Sequence, residues 1–168
     1  EYLDDILSLI REYWDSPLIL QIITLVEELS FALGYEFKKH LPSLIPQMLL
    51  LLQTDKSDHR KTTRAVLHAL EVIGTNLDGS VHILFPAIIR LCEGTGPIPV
   101  RNQALFTMAR LCKRVNVTDY ASRIIHPLIR VLDSGKSDLH EGAIQALHAV
   151  ASQLGPDYLA LFHPMVQK

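Results

Sequence analysis

Proline recurs at nearly constant spacing along this 168-residue chain, each time inside an apolar stretch. Successive members of the series lie 40, 41 and 37 residues apart, and they are Pro46, Pro86, Pro127 and Pro164. A period of this length is typical of arrays in which one supersecondary unit stacks on the next. The chain therefore predicts a repeat architecture, because the alternative, a compact helical bundle, gives no reason for prolines in register.

Each period divides into two amphipathic helical segments separated by a short polar turn. The first segment carries the proline, which removes one backbone donor and is expected to kink the helix. The second is rich in alanine, which lets neighbouring helices approach closely. Gly34, Gly74 and Gly155 stand near the ends of three of these second segments, where C-terminal caps are expected.

Two helix starts carry acidic residues that suit N-terminal capping. Asp119 is expected to accept hydrogen bonds from the first turn of the helix that holds Pro127. Asp138 and Glu141 have the spacing of a capping box. Both patterns place helix boundaries next to these carboxylates.

Composition excludes several other classes of protein. Apolar residues make up 48% of the chain and aromatic residues 7%, with leucine the main contributor, which favours helices over strands and excludes disorder. The net charge of −2 gives no strong field toward nucleic acid or anionic lipid. The longest aliphatic run, 48–52, is far short of the ~18 residues of a membrane span.

The period, the proline inside a helix and the Val100-Arg101-x-x-Ala104 opening of a second helix resemble the HEAT repeat. We therefore predict an all-α fold, an α-solenoid of about four helical hairpins plus one further helix. The predicted units are approximately 1–34, 35–78, 79–118, 119–155 and a partial unit 156–168. Apolar residues at both ends of the chain indicate a fragment of a longer array, since terminal repeats normally have a polar outer face.

Longer and less regular stretches resemble one family more closely. Phe37–Pro46, Gly74–Asp78 and above all Thr118–Pro127, with its Asp-Tyr-Ala-Ser-Arg string, are similar to the central HEAT region of the target-of-rapamycin (TOR) kinases. Similar residues recur from about Tyr2 to Val166. Generic HEAT patterning does not require such a string, so the resemblance is specific.

The resemblance implies a non-catalytic scaffold within a large nutrient-responsive serine/threonine kinase. Its implied partners are a second TOR chain and subunits of the TOR complexes, with no small-molecule substrate, nucleic acid or membrane insertion. It implies no cofactor in this segment, since ATP and Mg²⁺ belong to the kinase domain of the parent. The implied location is the cytoplasm, with the parent complex at vacuolar or lysosomal membrane surfaces.

No catalytic, cofactor-binding or metal site is predicted. A zinc-protease helix starting at His140 would need a second histidine where Ile144 stands. His126 and His163 both precede a repeat proline, and the residues before the other two prolines are Ile45 and Phe85, which cannot bind metal. Cys92 and Cys112 lie among leucines, as expected for reduced core thiols.

Basic residues cluster on two of the second helices. We predict that these residues form a basic strip, which faces an acidic partner or is ordinary solvated charge. The residues of the strip are Arg60, Lys61, Arg64, Arg110, Lys113 and Arg114. The rival functions are a HEAT adaptor for cargo or nucleic acid, which needs a sustained charged groove, and a free-standing enzyme, which needs convergent polar groups in a pocket.

Overall fold

The computed structural model describes residues 2–154, and within that range the chain is entirely helical and turn. The eight α-helices are α1 (Tyr2–Tyr13), α2 (Ile19–Leu33), α3 (Leu41–Thr54), α4 (Lys61–Ile73), α5 (Val81–Glu93), α6 (Ile98–Cys112), α7 (Ala121–Asp133) and α8 (His140–Gln153). The predicted further helix, with Gly155, His163 and Pro164, lies outside the described residues.

The chain divides into two compact units, Glu1–Asn76 and Leu77–Lys168. In the first, α2 packs against α1 and α4, and α3 packs against α4. In the second, α5 and α8 each pack against both α6 and α7. Each unit is thus built from two stacked helical hairpins, which confirms the predicted class, an all-α solenoid. The residue limits of the individual repeats remain a prediction.

The 40-residue period is visible in the connections that lead from one helical hairpin to the next. Gly34 and Gly74 follow α2 and α4 with φ values of 55° and 57°, and each begins a seven-residue 3₁₀ segment. Their N–H groups donate to the carbonyls of Ser30 and Leu70, four residues earlier. Glycine adopts this positive φ without the strain that a Cβ would introduce. The two predicted glycine caps are confirmed.

The repeat prolines lie inside α3, α5 and α7, and each helix continues beyond its proline. Pro46 and Pro86 are the sixth residues of their helices, whereas Pro127 is the seventh. His126 therefore occupies the helix position of Pro46 and Pro86, and the sequence-based match to Ile45 and Phe85 was wrong. Burial agrees, because His126 and Pro46 are exposed while Ile45 and Phe85 are buried.

Both predicted acidic caps were wrong because a short 3₁₀ turn precedes each helix. Before α7, the turn Thr118–Tyr120 supplies the carbonyl that accepts the N–H of Ala121. Before α8, the turn Ser137–Leu139 does the same for His140. The residue that precedes each α-helix makes no side-chain cap. Backbone carbonyls thus satisfy N–H groups that the carboxylates were expected to satisfy.

Alanine is buried in the second helices, where the sequence predicts close approach, and the structure adds a glycine contact. Ala104 and Ala146 are fully buried. A Cβ placed on Gly142 in α8 would lie 2.9 Å from the Cβ of Leu105 in α6. The backbone of α8 at Gly142 therefore lies so close to α6 that it leaves no room for a side chain there.

Polar side chains link helices about one period apart. In the first unit, Nδ1 of His68 and Oε1 of Glu27 are 2.8 Å apart, joining α4 to α2. In the second, Nε of Arg130 donates to Oε1 of Glu93 at 2.6 Å, joining α7 to α5. Both pairs involve exposed or half-buried groups, so apolar burial supplies most of the stacking energy.

One apolar stretch, Asp58–Glu93, has the length and composition of a membrane-spanning helix. In the structure it contains two 13-residue helices, α4 and α5, separated by the 3₁₀ segment Gly74–Ser80. A helix of that length spans about 20 Å, whereas the hydrocarbon core of a bilayer is about 30 Å thick. Neither helix alone has the length to cross it.

Candidate interaction surfaces

The first half of the predicted basic strip lies at the start of α4. Lys61 and Arg64 are exposed on the first turns of that helix. Arg60 differs from them because it is half-buried and its Nη1 donates to the backbone carbonyl of Asp55. Arg60 therefore stabilises the turn, and Lys61 and Arg64 are the exposed basic groups of this surface.

The turn that positions these cations is organised by one carboxylate. Oδ1 of Asp55 accepts the N–H of Ser57 at 2.8 Å and its hydroxyl at 2.6 Å. Oδ2 accepts the N–H of Thr63 at 2.8 Å and its hydroxyl at 2.7 Å. Burial alone would raise the pKa of Asp55, but these hydrogen bonds outweigh it and hold that pKa below its usual value.

The second half of the strip lies at the end of α6. Arg110, Lys113 and Arg114 are exposed there. Lys113 and Arg114 border a surface depression of about 330 Å³, which is also lined by Val115, Asn116, Thr118 and Gln153. A depression with two cations at its edge is suited to a carboxylate or another anionic group.

Backbone and amide groups hold the shape of this depression. Oδ1 of Asn116 accepts the N–H and the hydroxyl of Thr118, at 3.0 and 2.7 Å. Gln153 reaches over from α8, donating to the carbonyl of Val115 at 2.8 Å and accepting the N–H of Val117 at 2.8 Å. The α6–α7 turn is thereby tied to the next helix pair, which fixes the backbone next to Lys113 and Arg114.

The two halves of the strip belong to different compact units. Arg64, Arg110 and Arg114 also have interactions within the protein. A continuous basic strip therefore remains a prediction.

A second depression, at residues not predicted from the sequence, lies in the first unit. It measures about 500 Å³ and is lined by Tyr35, Glu36, Lys38 and Lys39 in the 3₁₀ segment after α2. The side chain of Tyr35 is 78% exposed. The available signal was the pair of aromatic residues, Phe31 and Tyr35, on either side of Gly34.

The structure describes the nucleophilic and metal-ligating side chains of residues 2–154. No group of three or more His, Cys, Asp or Glu side chains is placed to hold a metal within that range. Cys92 and Cys112 are buried, and burial raises the pKa of Cys112 to about 12 and that of Cys92 further. Such thiols are protonated at neutral pH and are poor nucleophiles.

The histidines weighed as metal ligands differ in their solvent exposure. His126 is exposed on α7. His140 is half-buried at the start of α8, where its Nε2 is buried without a hydrogen-bond partner. Neither of them belongs to a metal-binding group within the described part of the chain.

Comparison with known proteins identifies the repeat class. The profile of a family of HEAT repeats, described as stalled ribosome sensor GCN1-like, matches residues 9–168. The chain belongs to the HEAT-repeat family. The buried Arg101 of α6, whose Nε donates to the carbonyl of Cys92 at 3.0 Å, lies in the stretch that first suggested this repeat.

Curated relatives of this HEAT-repeat chain are TOR kinases. It is 42% identical to serine/threonine-protein kinase mTor of Drosophila melanogaster over 99% of its length. It is 39% identical to serine/threonine-protein kinase tor1 of Schizosaccharomyces pombe over its whole length, and 34% identical to TOR of Arabidopsis thaliana over 94%. The resemblance to a HEAT segment of the TOR kinases is confirmed. The chain spans 7% of the length of each of these relatives.

Proposed function

We propose that this HEAT segment is a non-catalytic scaffold in a TOR-like serine/threonine kinase. Its role is to hold the kinase chain to its second copy and to accessory subunits. The observation that carries the proposal is identity to TOR kinases along nearly the whole chain. The structure offers matching physical features, because stacked helical hairpins present exposed ridges and turns to partners.

The scaffold acts through geometry in this proposal. The packing of each hairpin on the next fixes where exposed turns lie, and the cations at the α6–α7 turn give one acidic partner surface its attachment. Kinase chemistry, with ATP and Mg²⁺, belongs to a domain elsewhere in the parent, and this segment binds no cofactor. We place the parent complex in the cytoplasm and at vacuolar or lysosomal membrane surfaces, which imaging of the tagged parent would test.

The scaffold role is tested by reversing charge at the α6–α7 turn in the complete kinase complex. Two variants are compared with the wild type: the single variant Lys113→Glu and the double variant Arg110→Glu with Arg114→Glu. Each should reduce the share of assembled complex measured by mass photometry. Like-charge contacts across an interface cost several kcal/mol, so a loss of roughly tenfold or more in association is expected. The double variant needs a thermal unfolding check, because both arginines also have partners within the protein.

Lys56→Glu with Lys136→Glu is the matched control. Both lysines are exposed and lie in turns outside the α6–α7 cluster. Assembly should survive this change of equal charge, and phosphorylation of a short peptide by the kinase domain should be unchanged in all variants. Unchanged assembly in both α6–α7 variants would refute the role of this surface, and assembly without the whole segment would refute the scaffold proposal.

A further inference from the structure

Two aromatic side chains on the first unit are exposed to a degree that packing does not explain. Phe31, in the last turn of α2, is 89% exposed, and Tyr35, just after Gly34, is 78% exposed. We call these two residues, with Glu36, Lys38 and Lys39, the aromatic patch; its depression is lined by Tyr35, Glu36, Lys38 and Lys39. Rings of this size left in water forgo the favourable free energy that burial would provide.

The fold itself does not require these aromatic residues. The connection Gly74–Ser80 repeats the Gly34–His40 backbone 40 residues later, with the same positive φ at its glycine and the same cap to the carbonyl four residues earlier. It is built with Glu71 and Thr75 where the first connection has Phe31 and Tyr35. The chain therefore contains a polar version of the same connection, and the aromatic version needs another reason.

The chemistry around Tyr35 indicates what the patch would bind. Nζ of Lys38 lies 5.7 Å from the centroid of the Tyr35 ring, a cation–π arrangement that holds the ring beside the depression. Lys39 is exposed at the same depression, and Glu36 is the acidic residue among those that line it. A partner that covers the rings must bring apolar area, and a partner that faces Lys38 and Lys39 gains from carboxylates.

We propose that the aromatic patch docks a segment of a partner protein in which a large apolar side chain is flanked by Asp and Glu. The depression of about 500 Å³ has room for one such side chain. A second copy of this chain is a poorer fit, because the depression carries two lysines and one glutamate and would present net positive charge to its own copy. The patch is separate from the α6–α7 cations, so this proposal stands or fails independently of the scaffold test.

The test uses the complete protein that carries this segment and a set of synthetic peptides. Each peptide has one Trp, Phe or Leu between Glu-rich flanks, and a partner peptide replaces every Glu with Gln. We expect fluorescence anisotropy to show binding of at least one acidic peptide, weaker binding of its Gln counterpart, and weakening at high salt.

The decisive variant is Phe31→Glu with Tyr35→Thr, which installs the residues of the second connection. It should weaken binding about tenfold or more, as expected when aromatic anchors are removed, and Lys39→Glu should also weaken it. Leu50→Ser is the matched control, since Leu50 is 55% exposed on α3 outside the patch. All variants should retain the thermal unfolding temperature of the wild type.

Three results would overturn the proposal. The first is that no acidic peptide binds better than its Gln counterpart. The second is that binding is the same in the Phe31→Glu, Tyr35→Thr variant as in the wild type. The third is that a Phe31→Cys variant of the complete protein resists maleimide, which would show that another part of the parent or a second copy already covers the patch.

Discussion

Two turns in different parts of this chain contain the same Lys-Ser-Asp tripeptide and are built by different means. In the α3–α4 turn, Asp55 precedes the tripeptide and its carboxylate binds Ser57 and Thr63. In the α7–α8 turn, Gly135 stands at the matching place with φ of 77°. Side-chain hydrogen bonds shape the first turn, and a backbone conformation available to glycine shapes the second.

The residues after the tripeptide differ in the same way. His59 and Arg60 of the first turn have φ values of 54° and 53°, and His59 is exposed. Leu139, which matches His59, is fully buried. One turn is thus held by polar groups at the surface and the other by a side chain in the core. The comparison shows that a shared tripeptide does not determine how a turn is stabilised, and substitutions at Leu139, Asp55, Gly135 and His59 test it.

The largest effect is expected from Leu139→Ala. Removing a fully buried leucine side chain costs about 2–5 kcal/mol through lost burial and the cavity that remains. His59→Ala at the matching place should change the free energy of unfolding by less than about 0.5 kcal/mol. Denaturant unfolding of both variants measures the difference, and similar losses at the two sites would contradict the contrast between the turns.

Gly142→Ala should have the next largest effect. The added Cβ would lie 2.9 Å from the Cβ of Leu105 and 3.2 Å from Oδ1 of Asn102, so α8 must move away from α6. We expect a loss of about 1–3 kcal/mol from overpacking. Gly79→Ala is the control, because a Cβ there meets nothing within 4 Å. A neutral change at Gly142 in chemical unfolding would refute the close approach of these helices.

Asp55→Asn should destabilise the chain at neutral pH by about 1–2 kcal/mol, because the amide nitrogen cannot accept the two hydrogen bonds from Thr63. The folded-state pKa of Asp55 is lowered. Its contribution is therefore complete above the ordinary carboxyl pKa of about 3.9 and is lost as the pH falls through the lower folded-state value.

The difference in unfolding free energy between wild type and Asp55→Asn should thus be largest at neutral pH. It should shrink as the pH falls below the ordinary carboxyl pKa of about 3.9. Asp58→Asn in the same turn is the control, since Asp58 is exposed. A gap that stays constant down to strongly acidic pH would show that the charge of Asp55 has no part in the turn.

The smallest effects come from exchanging backbone preferences between the turns. Gly135→Ala should cost about 1 kcal/mol, because an alanine at positive φ is strained although space is open around it. His59→Gly relieves strain but adds freedom to the unfolded chain, so a net change within about 0.5 kcal/mol is expected. Thermal unfolding of the pair measures this, and an equal loss in both would contradict the assignment of backbone strain.

The sequence predicted the features that repeat. The spacing of Pro46, Pro86 and Pro127 predicted the period, and Gly34 and Gly74 predicted where second helices end. These predictions succeeded because backbone constraints on proline and glycine act locally and do not depend on distant contacts. The irregular Thr118–Pro127 string pointed to the TOR kinases for a different reason, since its residues are not required by the repeat.

Other features depended on contacts that spacing does not reveal. Pro127 lies one helix position later than Pro46 and Pro86, so His126 was matched to the wrong residues. The capping predictions for Asp119 and Asp138 failed because 3₁₀ turns supplied carbonyls in their place. The aromatic patch was missed because a ring in an apolar sequence is usually buried, and only the packed helices show that Phe31 faces water.

By itself, the sequence determined that this chain is an array of helical hairpins and that it resembles the TOR kinases. Periodic apolar residues, prolines and glycines constrain the backbone over one or two helical turns. The helices and turns that they specify can therefore be predicted from the order of residues in the chain. The tertiary structure decided which groups the array leaves exposed, because exposure depends on how closely helices 40 residues apart approach each other. That approach placed Gly142 against Leu105 and left Phe31 and Tyr35 at the surface.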